Sequence, residues 1–164
     1  MNKDHWILLT EDDEHDADLA TRTLADGEPC VEVVVARDGA EALACLYQRG
    51  EFHHHARSQP VVVVLDLNMP RVDGFEVLGR IKSDERLKHI PVVIFSSSRE
   101  ERDIVRCYQL GANAYVVKPV DFQQYVAALK KVTSFWTSTN EPPPDTIAGN
   151  QRHPAAALVG TTTL

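Results

Sequence analysis

The chain has 164 residues, 43% hydrophobic and 25% charged, which is the length and balance of one soluble domain with a real core. A formal charge of −7 and a pI near 5.4 argue against nonspecific nucleic-acid binding. Cys30, Cys45 and Cys107 lack CxxC spacing, no apolar run nears the roughly 18 residues of a membrane span, and "MNKDHWILLTEDD" is no signal peptide, so a cytoplasmic domain with reduced thiols is expected.

The first apolar run is "WILL", Trp6–Leu9, and three acids follow it: Glu11, Asp12 and Asp13. "ADLATRTLADG" then spaces its apolar residues as a helix does. "VEVVVA", Val31–Ala36, is the second run, and Asp38 to Glu41 has the spacing of a capping box that opens a second helix. A long polar connection, "YQRGEFHHHARSQ", leads to "VVVVLD", Val61–Asp66. That run is continuous rather than alternating, as in a strand buried on both faces, and it ends on a lone carboxylate. Asp73 to Glu76 marks the start of the helix "FEVLGRIKSDERL". "PVVIF", Pro91–Phe95, precedes Ser96, Ser97 and Ser98, and Ser98 to Glu101 fits a capping box before "DIVRCYQLGAN". "AYVVK", Ala114–Lys118, ends at Pro119. Asp121 to Gln124 then opens a last helix with Phe122, Tyr125, Val126, Leu129, Val132 and Trp136 on one apolar face.

Strand and helix alternate five times, which predicts βαβ units around a parallel sheet. The expected division is a domain over 1–138 and a tail over 139–164, which contains "PPP" and the apolar "PAAALVG". There is no internal repeat. His53, His54 and His55 are adjacent in a loop and cannot all face one ion, so a solvated loop is expected there.

In a parallel sheet the functional loops lie at the carboxyl ends of the strands. Those ends carry Glu11, Asp12 and Asp13, then Asp66, then Ser96, then Lys118. Carboxylates crowded within roughly 4–6 Å repel one another. Hard oxygen ligands with room for a phosphate suit Mg²⁺. A lysine and a hydroxyl add donors for the equatorial oxygens of a phosphoryl group in transfer. A carboxylate beside Mg²⁺ and lysine is a nucleophile toward phosphorus, which predicts an aspartyl-phosphate on Asp66. Singly, each residue reads as a turn or cap; their succession at four strand ends carries the inference.

"LLTEDD", "VVVVLDLNMPRVDGFEVL", "PVVIFSSS" and "GANAYVVKPVD" resemble the receiver domain of bacterial two-component response regulators, over about Ile7 to Trp136. The resemblance implies a (βα)5 doubly wound, flavodoxin-like α/β fold with a five-stranded parallel sheet in the order 2-1-3-4-5. It also implies the site residues. Glu11 and Asp12 would hold Mg²⁺, Asp12 directly and Glu11 through water, with Asp13 outside the pair. Asp66 would be the phosphoacceptor, and Asn68 would offer its backbone carbonyl to the metal. The Ser96 hydroxyl and the Lys118 ammonium would meet the phosphoryl group. Tyr115 would be the aromatic switch, and the Lys118–Pro119 peptide would be cis. Ser96 departs from the commoner threonine but keeps the hydroxyl.

"LDLNMPRVDGFEVLGRIKSDERLKHIPVVIFSSS" and "ANAYVVKPVDFQQYVAALKKVTSFW" further resemble single-domain regulators paired with phytochrome and bacteriophytochrome kinases. This implies a histidine kinase as phosphodonor and output by protein contact, since no DNA-binding or catalytic output domain follows. A homodimer is implied, through the fourth helix, fifth strand and fifth helix or through the tail. The receiver would not be an enzyme, beyond its part in its own Mg²⁺-dependent phosphorylation and dephosphorylation. Two other classes stay open. A haloacid-dehalogenase-type phosphatase would want DxD after the first strand, whereas the candidate acid ends the third and "DLNMP" lacks the second Asp. A degenerate receiver that only binds partners would not need the intact set of Glu11, Asp12, Asp66, Ser96 and Lys118.

Overall fold

A computed structural model describes residues 5–26, 31–54 and 58–144. Cys30, the side chains of the histidine run 53–55 and the tail beyond 144, "PAAALVG" included, lie outside the described residues. The strands are β1 (Trp6–Thr10), β2 (Glu32–Ala36), β3 (Val62–Leu65), β4 (Val92–Ser96) and β5 (Ala114–Val117). The helices are α1 (Glu14–Ala25), α2 (Gly39–Leu46), α3 (Gly74–Ser83), α4 (Glu101–Gln109) and α5 (Phe122–Ser134). All neighbouring strands pair in parallel, in the expected order β2-β1-β3-β4-β5.

The continuous apolar run of β3 has its reason in the two layers that cover it. Val63 and Leu65 join Leu8 and Ile94 in a core with Val77, Leu78 and Ile81 of α3. Val62 and Val64 face the other way, with Ile7, Leu9, Phe95 and Leu129. Full burial of such a side chain contributes about 1.5–3 kcal/mol, so both faces of β3 must be apolar. At the edge, β2 is only half covered along Val33–Val35.

Three helices start as the sequence predicts: Asp38, Asp73 and Asp121 accept from the Glu41, Glu76 and Gln124 amides, and the structure adds Asp13, which caps α1 by accepting from the Asp16 amide. The fourth helix corrects the expectation. Glu100 occupies its cap position with no side-chain bond, and Ser98 Oγ instead donates to Asp103 Oδ2 at 2.7 Å. The Ser98 oxygen accepts the Glu100 amide at 3.3 Å, one residue ahead of the helix, while its proton goes to the charged Asp103 carboxylate. Phe122 is also not in the core, being 57% exposed. It is the first residue of α5, ahead of the turns that meet the sheet through Tyr125 and Leu129.

The connection after α2 is anchored rather than merely polar. The Tyr47 hydroxyl donates to Asp84 Oδ2 at 2.8 Å, and Phe52 packs on the core. At its far end the Trp6 indole donates to the Ser58 carbonyl at 3.0 Å. Beyond α5 the chain continues as a π-helical turn, Phe135–Thr139. Among the described residues no helix is long and apolar enough to cross a membrane.

Candidate functional site

The β1–β3 ladder ends at the pair Leu9 and Val64, and Thr10 takes over from there. Its hydroxyl accepts the Asp66 amide at 2.8 Å and donates to the Val64 carbonyl at 3.3 Å. On the other side the Gly74 amide donates to the Leu67 carbonyl at 3.1 Å. A Cβ at position 74 would lie 2.7 Å from Leu67 Cα and collide with the Asp66 carbonyl, so the start of α3 can pack here only as glycine. The backbone of Asp66 is thus fixed between β1 and α3. Its carboxylate is oriented in turn by the Asn68 amide, which donates to Oδ1 at 3.1 Å.

Lys118 arrives from the end of β5, its amide donating to the Ser96 carbonyl at 2.8 Å. Its ammonium donates to Asp66 Oδ2 at 2.9 Å and Glu11 Oε2 at 2.6 Å. These three side chains are 9%, 4% and 14% exposed for Asp66, Glu11 and Lys118. Burial pushes the Glu11 carboxyl above its ordinary range, against the pull of Lys118. Burial also opposes the charge on Lys118, but Asp66 and Glu11 outweigh it and raise its pKa.

One oxygen each from Glu11, Asp12 and Asp66 lie within 4.8 Å of one another, with Asp12 exposed at the mouth. One ammonium cannot neutralise three carboxylates, and all three offer hard oxygen donors. The donor set therefore fits a divalent cation such as Mg²⁺. Asp13 stands apart from that cluster as the cap of α1, where the Asp16 amide lowers its pKa.

The sequence model of the family described as "Response regulator receiver domain" matches residues 7–130. The chain belongs to this receiver family. It is 38% identical over 133 residues to response regulator Rcp1 of Synechocystis sp., covering 81% of this chain and 89% of that one. The Mn²⁺-bound form of Rcp1 superposes with a TM-score of 0.78 at 36% identity, over 85% of this chain and 99% of that one. The phosphorylated cyanobacterial phytochrome response regulator RcpA gives 0.79 at 43% identity, with the same coverages. The bacteriophytochrome response regulator RtBRR gives 0.66 at 46% identity, over 90% of this chain and 89% of that one.

The remaining predicted residues of the receiver are placed as follows. Ser96 ends β4 fully buried, its Oγ accepting the Ser98 amide at 3.3 Å. Tyr115 on β5 is half-buried and donates its hydroxyl to the Ser98 carbonyl at 2.9 Å. Asn68 is exposed, and Pro119 follows Lys118 directly.

Sequence reading missed Thr10, Gly74 and a clamp on the loop after Asp66. In that loop Arg71 has a left-handed φ of 64° and its guanidinium bonds the buried Asp38 carboxylate, Nε at 2.8 Å. Burial alone would raise the Asp38 carboxyl, but the Glu41 amide and Arg71 lower it overall. A Cβ on Gly39 would lie 2.8 Å from Val72 Cβ, so the β2–α2 corner presses on the same loop. The available signal was the glycine after each capping aspartate, Asp38-Gly39 and Asp73-Gly74.

Proposed function

We propose that this receiver accepts a phosphoryl group on Asp66 from the phosphohistidine of a phytochrome-type histidine kinase, in the cytoplasm, and signals by protein contact. The observation that carries the reading is the ammonium of Lys118 bridging Asp66 and Glu11, with Asp12 beside them at the sheet's carboxyl edge. The relatives support it: RcpA is a phytochrome response regulator in phosphorylated form, and Rcp1 has a Mn²⁺-bound form.

A carboxylate oxygen of Asp66 attacks phosphorus while the P–N bond to the donor histidine breaks, and the imidazole leaves with the bonding pair. Asp12, Asp66, the Asn68 backbone carbonyl and, through water, Glu11 would hold Mg²⁺, which when bound offsets the negative charge gathered there. Lys118 follows the charge from the Asp66 carboxylate to the phosphoryl oxygens, and the Ser96 hydroxyl donates to the same group. With Ser96 drawn inward, Tyr115 gives up the Ser98 carbonyl and turns in behind it. The Lys118–Pro119 peptide is read as cis. The altered α4–β5–α5 face is the signal, and it is the homodimer surface of this proposal, alone or with the tail over 139–164.

Mixing the protein with an autophosphorylated phytochrome-type histidine kinase tests the reading. Label should move to the wild type only with Mg²⁺ present, and not to Asp66→Asn. Unchanged transfer to Asp66→Asn overturns the acceptor, and no transfer to the wild type leaves a partner-binding module in its place.

A further inference from the structure

Tyr125 has no part in the chemistry above, yet it packs in the apolar layer beside it, with Leu9, Val64 and Phe95. The side chain rises from the first turns of α5 and is 7% exposed. Its ring lies edge-on to Phe95, the neighbour of Ser96, with centroids 5.4 Å apart and planes at 62°. Ile7, Leu9 and Val64 complete the apolar layer around it. The hydroxyl oxygen is buried and has no hydrogen-bond partner among the described residues. A buried phenol normally finds one, and leaving it bare is destabilising.

Leu9 and Val64 face this layer, and Glu11 and Asp66 follow them at the two-residue spacing of one sheet face, so that the charges of Lys118, Glu11, Asp16 and Asp66 act on the phenol. Three of the four belong to the acceptor cluster. Burial pushes the phenol up to about 12, so it is an O–H donor throughout the working range of pH. The Glu11 carboxylate already accepts from Lys118 and from the Asp13 amide, and it has lone pairs to spare. When Lys118 turns to a phosphoryl group, Glu11 loses the direct N–H donor at its Oε2 while remaining buried.

We infer that Tyr125 is a positioning residue of the phosphorylated state, its hydroxyl donating to the Glu11 carboxylate once the Lys118 ammonium has moved to the phosphoryl oxygens. The inference rests on Asp66 as acceptor. The bare hydroxyl is then a cost of the unphosphorylated state that phosphorylation removes, which favours the phosphorylated form.

Tyr125→Phe removes one oxygen and keeps the ring against Phe95, so it tests this without disturbing the packing. Beryllofluoride with Mg²⁺ serves as the phosphoryl probe. The unphosphorylated variant should have an unchanged or higher thermal midpoint, while its affinity for beryllofluoride falls about three- to tenfold, the worth of one hydrogen bond. In the wild type the ¹³Cζ resonance of Tyr125 should shift on binding the probe. A merely structural tyrosine would lower the midpoint and leave the resonance unmoved. Equal affinity in the two proteins, or an unmoved resonance, overturns the inference while the acceptor reading stands. Failure of the wild type itself to bind the probe overturns both, and the Asp66→Asn comparison identifies that case.

Discussion

Asp66 is held at every atom that could wander: its amide by Thr10, one carboxylate oxygen by the Asn68 amide and the other by Lys118. Thr10 could not be read as a partner because it lies 56 positions away and resembles any strand-ending threonine. Asp38 was legible as a cap from its spacing to Glu41, but its second bond, to Arg71 across 33 positions, was not. That second bond predicts a pH dependence. The Asp38 carboxyl is lowered in the folded protein, so its contribution is complete above the unfolded value of about 3.9 and is lost as pH falls through the folded one. Asp38→Asn can still cap α2 but carries no charge toward Arg71. In urea unfolding the wild type should exceed Asp38→Asn in stability at neutral pH, and the two should converge below about pH 4. A gap that persists unchanged in acid would remove the charge from the explanation.

Elements were more legible than contacts. The five apolar runs became five strands, and β3 states the reason most directly, since a strand covered on both sides can be nothing but apolar. Three helix starts were legible from an aspartate set three residues before a Glu or Gln; Asp13, which caps α1 with an aspartate at that spacing, was not read as a cap. The exception, α4, shows the limit: Ser98 has the right spacing, but the helix begins only at Glu101, and the contact of the Ser98 hydroxyl with Asp103 is one a linear pattern does not reveal. Gly74 was read only as part of the capping box that opens a helix; its further role is to let α3 begin against the Asp66–Leu67 backbone. Gly74→Ala should therefore destabilise the domain by about 1–3 kcal/mol, the usual penalty of forcing volume into a packed site. It should also slow phosphate uptake, because the shift falls on the peptide of Asp66, the proposed acceptor. Chemical denaturation beside an uptake assay checks both; an unaffected uptake rate would mean that α3 gives way and Asp66 does not.

At the scale of the whole molecule, one end of the sheet gathers Glu11, Asp12, Asp66 and Lys118, and helices α4 and α5 expose apolar residues. Val105 and Tyr108 on α4 are 46% and 52% exposed, alongside Phe122 and Phe135 on and beyond α5. The sequence pointed to this face only through family resemblance, since exposure depends on which helices have neighbours. The proposed homodimer should survive truncation after residue 138 and be lost on combining Val105→Asp with Tyr108→Asp, as read by light scattering. A dimer lost on truncation alone would move the contact to the tail. The most direct measurement concerns Asp66 itself. After exposure to acetyl phosphate and Mg²⁺, borohydride reduction converts an aspartyl-phosphate to homoserine, and peptide mass spectrometry locates it. Homoserine at position 66 alone, absent when Mg²⁺ is chelated, is the predicted result; reduction at Asp12 or Asp13 instead, or at no position, would contradict it.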